Sequence, residues 1–199
     1  MEKYDVIIVG TGPAGMGAAF SLLDMKKDIS ILMIDKAPVS TGGMRNDCKM
    51  NFTYPIGFPF EYWDEATANR YLEKVKAFLK PDILPKSNIG IYQMRAEKLG
   101  CSLLEIQQTH LGTDGGLRLI QKLMTELQDR GVTISLREEM LSINNEQKFI
   151  TTDMREIGYK TILIAPGRHG FHFLQDVMHQ LDVRYMDNIL DVGIRVETR

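Results

Sequence analysis

The chain has 199 residues, 44% of them hydrophobic and 25% charged, an ordinary globular composition with room for one sizeable domain or one and a fraction. Its formal charge of −2 gives no electrostatic case for nucleic acid or an anionic membrane as the main partner, and no apolar run is long enough to span a bilayer. Cys48 and Cys101 make neither a metal-type nor a CxxC pattern, and the first strand starts too early for a secretory leader, so a reducing cytoplasm is the expected compartment.

In chain order, Tyr4 to Val9 is a Val/Ile-rich run that reads as a strand buried on both faces of a parallel sheet. Gly10, Gly12 and Gly15 follow with GxGxxG spacing. The first glycine permits the tight turn, the second lets a pyrophosphate approach the backbone, and the third lets the helix pack on the strand. Pro13 suits the first helical turn, and Ala14, Ala18, Ala19, Leu22 and Leu23 continue the helix. Its N-terminus offers N–H groups and a positive dipole end to an anion. A second apolar strand, Ile29 to Ile34, ends at Asp35, twenty residues beyond Gly15. A carboxylate there can accept from both hydroxyls of an adenosine ribose and would repel a 2′-phosphate. A lone GxGxxG is weak evidence; strand, turn, helix, strand and acid in this order are not.

Residues 36 to 63 form a long loop rich in Gly, Pro, Asn and aromatic residues, which argues for an ordered, functional segment. Asp64 reads as the N-cap of a helix to Leu79, with Tyr71, Leu72, Val75, Phe78 and Leu79 as its apolar stripe. A second helix is expected over Ser87 to Leu99, ended by Gly100, and a strand over Leu103 to Gln107. Thr113 or Asp114 should cap a helix over Gly115 to Arg130, closed by Gly131. Strands are expected at Val132 to Leu136, Glu139 to Ile143, Phe149 to Thr152 and Tyr159 to Ala165. A helix over Phe171 to Leu181 and an alternating run from Ile189 to Glu197 complete the chain. The order implies an α/β fold: a doubly wound FAD/NAD(P)-binding parallel sheet with a β-meander crossover and an inserted helical region at about residues 45–110.

At this point the residues resemble a known group. The GTGPAG turn with Asp35 looks like the FAD-binding fold of the glutathione-reductase-type flavoproteins, in which Pro-Ala after the second glycine is typical of FAD sites. The segments GGMRNDCKMNF (42–52), HLGTD (110–114), ILIAPGRHG (162–170) and DVGIRVE (191–197) resemble, in order, the uncharacterised FAD-dependent dehydrogenases, also described as NAD(FAD)-utilising dehydrogenases. The resemblance implies a flavin-dependent oxidoreductase that passes hydride between a small substrate and FAD, with NAD(P)H as candidate electron partner.

Residue by residue, the resemblance places Gly10, Gly12, Pro13, Ala14 and Gly15 at the FAD pyrophosphate, with Asp35 and Lys36 at the adenosine end. It places the backbone of Met140 at adenine, Ala165 and Gly167 at a second turn near the cofactor, and Gly43 in a loop beside the flavin. In that loop the family usually has Ser-Asp-Gly-Lys, where this chain has Asn-Asp-Cys-Lys (46–49). Catalytic candidates are weaker. Cys48 could be a redox thiol or an inert small residue. Lys49 and Arg45 could hold an anion or be solvated loop charges. His110 could move a proton or brace the loop. His169 and His172 have no acidic or cysteine partner nearby in sequence, so no metal site is expected.

Such proteins usually carry a later Gly-Asp pair near the flavin ribitol, and no Gly-Asp dipeptide occurs here. The expectation is an N-terminal portion or shortened form in which the isoalloxazine half is under-enclosed. A homodimer or another chain could then cover the apolar surface, and a non-catalytic nucleotide-binding module is the competing reading.

Overall fold

A computed structural model describes residues 1–38, 48–58 and 61–186. The chain divides into two units, Met1–Ser40 with Leu127–Arg199, and Thr41–Glu126.

The first unit is built on a six-stranded sheet of order β5-β2-β1-β8-β7-β6. Its strands are β1 (Glu2–Val9), β2 (Ile31–Asp35), β5 (Thr133–Leu136), β6 (Met140–Asn144), β7 (Phe149–Thr152) and β8 (Glu156–Ile164). β1 pairs parallel with β2, with Val6 opposite Ile31, and with β8, with Glu2 opposite Ile157. β2 pairs parallel with β5. β6, β7 and β8 form the antiparallel meander. β8 therefore belongs to both parts: its first residues pair with β7, and its whole length pairs with β1.

The central strands are buried because apolar residues occupy both faces. Ile7, Ile8, Leu32, Met33 and Ile34 are fully buried, each contributing roughly 1.5–3 kcal/mol relative to exposure. Ile7, Val9, Leu32, Ile34, Met140, Ile150, Ile157 and Tyr159 share one core with Val177 of helix α5 (Phe171–Gln180). On helix α1 (Pro13–Met25), Met16, Ala19, Phe20 and Leu23 are buried at helical spacing. Arg130 ties the start of the β5 connection to this helix, with its guanidinium 2.7 Å from Asp24 and over the ring of Phe20.

The second unit holds β3 (Lys49–Asn51), α2 (Glu65–Leu79), α3 (Ile89–Glu97) and β4 (Gln108–His110). Of helix α4 (Gly112–Asp129), the residues up to Glu126 are assigned to this unit. Asp64 caps α2 as expected, its Oδ1 accepting the Thr67 N–H at 2.8 Å. Of the expected stripe only Leu72 is buried, joined one turn earlier by Ala68; Tyr71, Val75 and Phe78 are half-exposed. The loop aromatics Tyr54, Phe58 and Trp63 join Tyr71 in a chain of ring contacts at 5.4–6.3 Å.

Three expected elements differ, β8 among them because it starts at Glu156 rather than Tyr159. Residues 103–107 are not a strand; the strand is Gln108–His110, paired antiparallel with Lys49–Asn51 inside the segment read as loop. Leu103 and Leu104 are exposed, so their apolar character marks no core position. Helix α4 begins at Gly112, three residues before the expected start at Gly115. The run from Ile189 to Glu197 lies outside the described residues.

Candidate nucleotide-binding site

The turn after β1 shows why each glycine is there. Gly10 has φ +104, and a Cβ on it would overlap the carbonyl oxygen of Ala165. Its N–H donates to Ile34 O at 2.8 Å, and the Ala165 N–H donates to Val9 O at 2.8 Å. The ends of β1, β2 and β8 thus meet at Gly10. A Cβ on Gly15 would overlap the Gly10 carbonyl, so Gly15 is required by the helix-to-turn approach. Gly12 is different. A Cβ there would meet nothing within 4 Å, and its backbone is ordinary extended chain at φ −73. The fold itself makes no demand for glycine at this position.

Gly12 is the N-cap of α1, Pro13 opens the helix, no side chain caps it and no acid sits in the first turn. The first-turn N–H groups have no acceptor within the helix, which makes this end attractive to an anion. An uncapped, positively polarised helix end beneath open space fits a pyrophosphate.

Asp35 ends β2 beside this turn. Its Oδ2 accepts from the Thr11 N–H at 2.9 Å and the Thr11 hydroxyl at 3.1 Å, and its Oδ1 accepts from the Ala37 N–H at 2.9 Å. The backbone of Asp35 also anchors the chain after β5: Glu138 N–H donates to Asp35 O at 3.1 Å, and Arg137 N–H to Ala37 O at 3.3 Å. Lys36 reaches Glu139 at 3.3 Å on the surface.

The structure therefore brings Gly10, Gly12, Pro13, Ala14, Gly15, Asp35 and Ala165 together. Gly167 stands two residues past Ala165 with φ +66, in a turn that closes when the Gly170 N–H donates to its carbonyl. Met140 starts β6, two residues beyond Glu138, with its side chain buried in the core, so a ligand could meet only its backbone. Gly43 and Arg45 lie outside the described residues.

The catalytic candidates lie in the second unit. Lys49 and His110 are register partners across β3 and β4, both exposed. The Leu111 N–H donates to Cys48 O at 3.1 Å. Cys48 is buried, and burial pushes its thiol pKa up, opposite to what a reactive thiolate needs. Its φ of +25 lies in the left-handed region. A side chain in that region is strained, and glycine would adopt it freely.

Sequence reading missed two features. Thr11, the residue between the first two glycines, holds Asp35. Glu138 is a fully buried carboxylate gripped by Arg155, with Nε to Oε1 and Nη2 to Oε2 both at 3.0 Å, and by the Thr152 hydroxyl at 2.9 Å. Burial alone would raise the Glu138 pKa, but the bonds from Arg155, Ser135 and Thr152 together hold it below its ordinary value. Arg155 in turn reaches Glu2 on β1. A charge of each sign flanking the β6–β7 hairpin was the available signal, and it is common in hairpins that bury nothing.

With the turn, helix end and acid in place, comparison with known proteins is decisive at one level. Residues 4–188 match the pyridine nucleotide-disulphide oxidoreductase family. The chain belongs to that family. Among curated relatives of this family member, ribosomal RNA dihydrouridine synthase of Escherichia coli (strain K12) is 26% identical over 173 residues, covering 84% of this chain and 40% of that protein. An uncharacterized protein of Methanosarcina barkeri is 34% identical over 80 residues, 38% of this chain and 20% of that one. The chain thus spans well under half the length of these two relatives. Among solved structures, L-amino acid deaminase from Proteus vulgaris aligns with TM-score 0.53 at 12% identity, covering 92% of this chain and 57% of that one. NikD, an unusual amino acid oxidase essential for nikkomycin biosynthesis, aligns with TM-score 0.51 at 16% identity, covering 91% and 55%. These likenesses establish the fold, a mostly parallel FAD/NAD(P)-binding sheet. No helix among the described residues is long and apolar enough to cross a membrane.

Proposed function

We propose that this chain carries the adenine-dinucleotide half of a flavin-dependent oxidoreductase site and that its cofactor is FAD. The observation that carries this reading is Gly12: a glycine the fold does not need, at an uncapped helix N-terminus with open space above it. The pyrophosphate would lie over Gly12 to Gly15, and the adenosine ribose against Asp35. When bound, FAD would supply the hydride chemistry with a small-molecule substrate, NAD(P)H being the candidate electron partner. The chain's own part is to bind and orient: Gly10 and Gly15 hold the turn, α1 offers N–H groups to the anion, and Asp35 offers a carboxylate to the ribose. Within the second unit, Lys49 and His110 are the cationic and proton-transferring candidates, adjacent across one strand pair. Membership among the uncharacterised FAD-dependent dehydrogenases is the finer assignment that the sequence segments favour.

The test is the visible spectrum of the purified protein with chromatography of any released nucleotide. Flavin bands and released FAD are the expected result, followed by anaerobic bleaching on addition of NAD(P)H. Bound FAD that dithionite bleaches but NAD(P)H does not would favour a non-catalytic or split module needing another chain. A protein that is colourless and takes up no added FAD would overturn the cofactor assignment.

A second reading comes from the relative that is a ribosomal RNA dihydrouridine synthase, matched over 84% of this chain: a flavin-dependent reduction or oxidation acting on an RNA base. The charge of −2 supplies no phosphate-binding surplus, which ranks it second. Retention of ribosomal RNA fragments in a mobility-shift assay at moderate salt would promote it.

A further inference from the structure

We propose that Thr11 is a positioning residue that limits Asp35 to a single acceptor, so that Asp35 takes one ribose hydroxyl rather than two. The inference rests on the reading that the adenosine ribose lies at Asp35. Thr11 is fully buried inside the glycine turn. Both of its donors, the backbone N–H at 2.9 Å and the hydroxyl at 3.1 Å, converge on one oxygen of Asp35, Oδ2. The other oxygen, Oδ1, holds the Ala37 N–H at 2.9 Å.

A carboxylate has about four lone-pair sites, two on each oxygen. Oδ2 is filled by Thr11, and Oδ1 has one site left. A ribose arriving at this edge finds one acceptor in a fixed orientation. Because that orientation is set before binding, the bond costs little reorganisation. Thr11 touches the ribose only through Asp35. Valine at this position would keep the shape and the N–H but release one lone pair of Oδ2; serine would keep the hydroxyl.

The experiment is calorimetric titration of the intact protein with ADP, 2′-deoxy-ADP and 3′-deoxy-ADP, repeated on Thr11→Val and Thr11→Ser. In the wild type, one deoxy analogue should bind about tenfold more weakly than ADP, and the other within about twofold. In Thr11→Val, ADP should weaken by about three- to tenfold and the difference between the analogues should narrow, because the carboxylate keeps only two of the three bonds that orient it. Thr11→Ser should restore both. Equal losses for the two analogues in the wild type would overturn the proposal without any variant being needed. So would a Thr11→Val protein that keeps wild-type selectivity. A wild type that binds no ADP defeats the nucleotide reading itself, and this inference with it; ADP bound without discrimination defeats this inference alone.

Discussion

The backbone carbonyl of Ala165 occupies the space that a side chain on Gly10 would need. Gly10 is thus held between β1 and the end of β8, whereas Gly12, two residues on, has nothing near it. Of these two glycines of one motif, the sheet demands the first and makes no demand on the second.

That difference is measurable. Gly10→Ala must move backbone and also adopt φ +104, so thermal unfolding should show a loss of about 2 kcal/mol or more. Gly12→Ala should unfold within about 1 kcal/mol of wild type and yet lose FAD or ADP affinity by about tenfold or more in calorimetry. A Gly12→Ala protein that binds normally would remove the anion from this turn.

The Glu138–Arg155 pair should behave as a half-buried ion pair, since Glu138 is fully covered and Arg155 is partly exposed. Arg155→Met leaves the buried Glu138 carboxylate with the Thr152 hydroxyl but no cation and should cost about 2 kcal/mol in denaturant unfolding. The double variant Glu138→Gln with Arg155→Met should recover most of that loss, because no charge is left unpaired.

The same pair gives a pH signature. Glu138 is held below its ordinary value of 4.5, so folding favours its ionised form. Its contribution is present in full above the unfolded-state pKa and is lost as the pH falls through the lower folded-state value. Acid unfolding curves of wild type and Glu138→Gln should therefore differ in slope below about pH 4.5 and run parallel above it.

The two thiols should separate cleanly. Cys101 is exposed and Cys48 buried with a raised pKa. Ellman's reagent at neutral pH should find one fast thiol in the native protein and two in denaturant. Fast native labelling of Cys48 would return it to the catalytic candidates.

How far the sequence alone reached depended on how local each feature is. The run from Tyr4 to Asp35 was legible because strand, turn, helix and acid all lie within one βαβ unit, each with its own residue-type rule. Asp64 was legible for the same reason: an N-cap needs only the next three residues. Leu103 to Gln107 misled because apolar character without alternation says little about pairing, and the strand Gln108–His110 exists only through its pairing with Lys49–Asn51, far back in the chain. Glu138 was invisible because its burial depends on Thr152 and Arg155 arriving from the far side of the β6–β7 hairpin. Thr11 was hidden by the motif, since its position was read only as the residue between two glycines.

β8 has a consequence for how the protein is made. The middle of the sheet is completed after its other strands, since Glu2 has to wait for Ile157 to emerge. At ribosomal speeds this leaves one edge of β1 without its second neighbour for about 8–30 s. An unpaired apolar edge of that kind recruits stray strands. The nascent chain should therefore lean on chaperones until its 150s are out of the exit tunnel, and variants that slow pairing of β8 should show up first as poor expression yield, before any loss of nucleotide affinity.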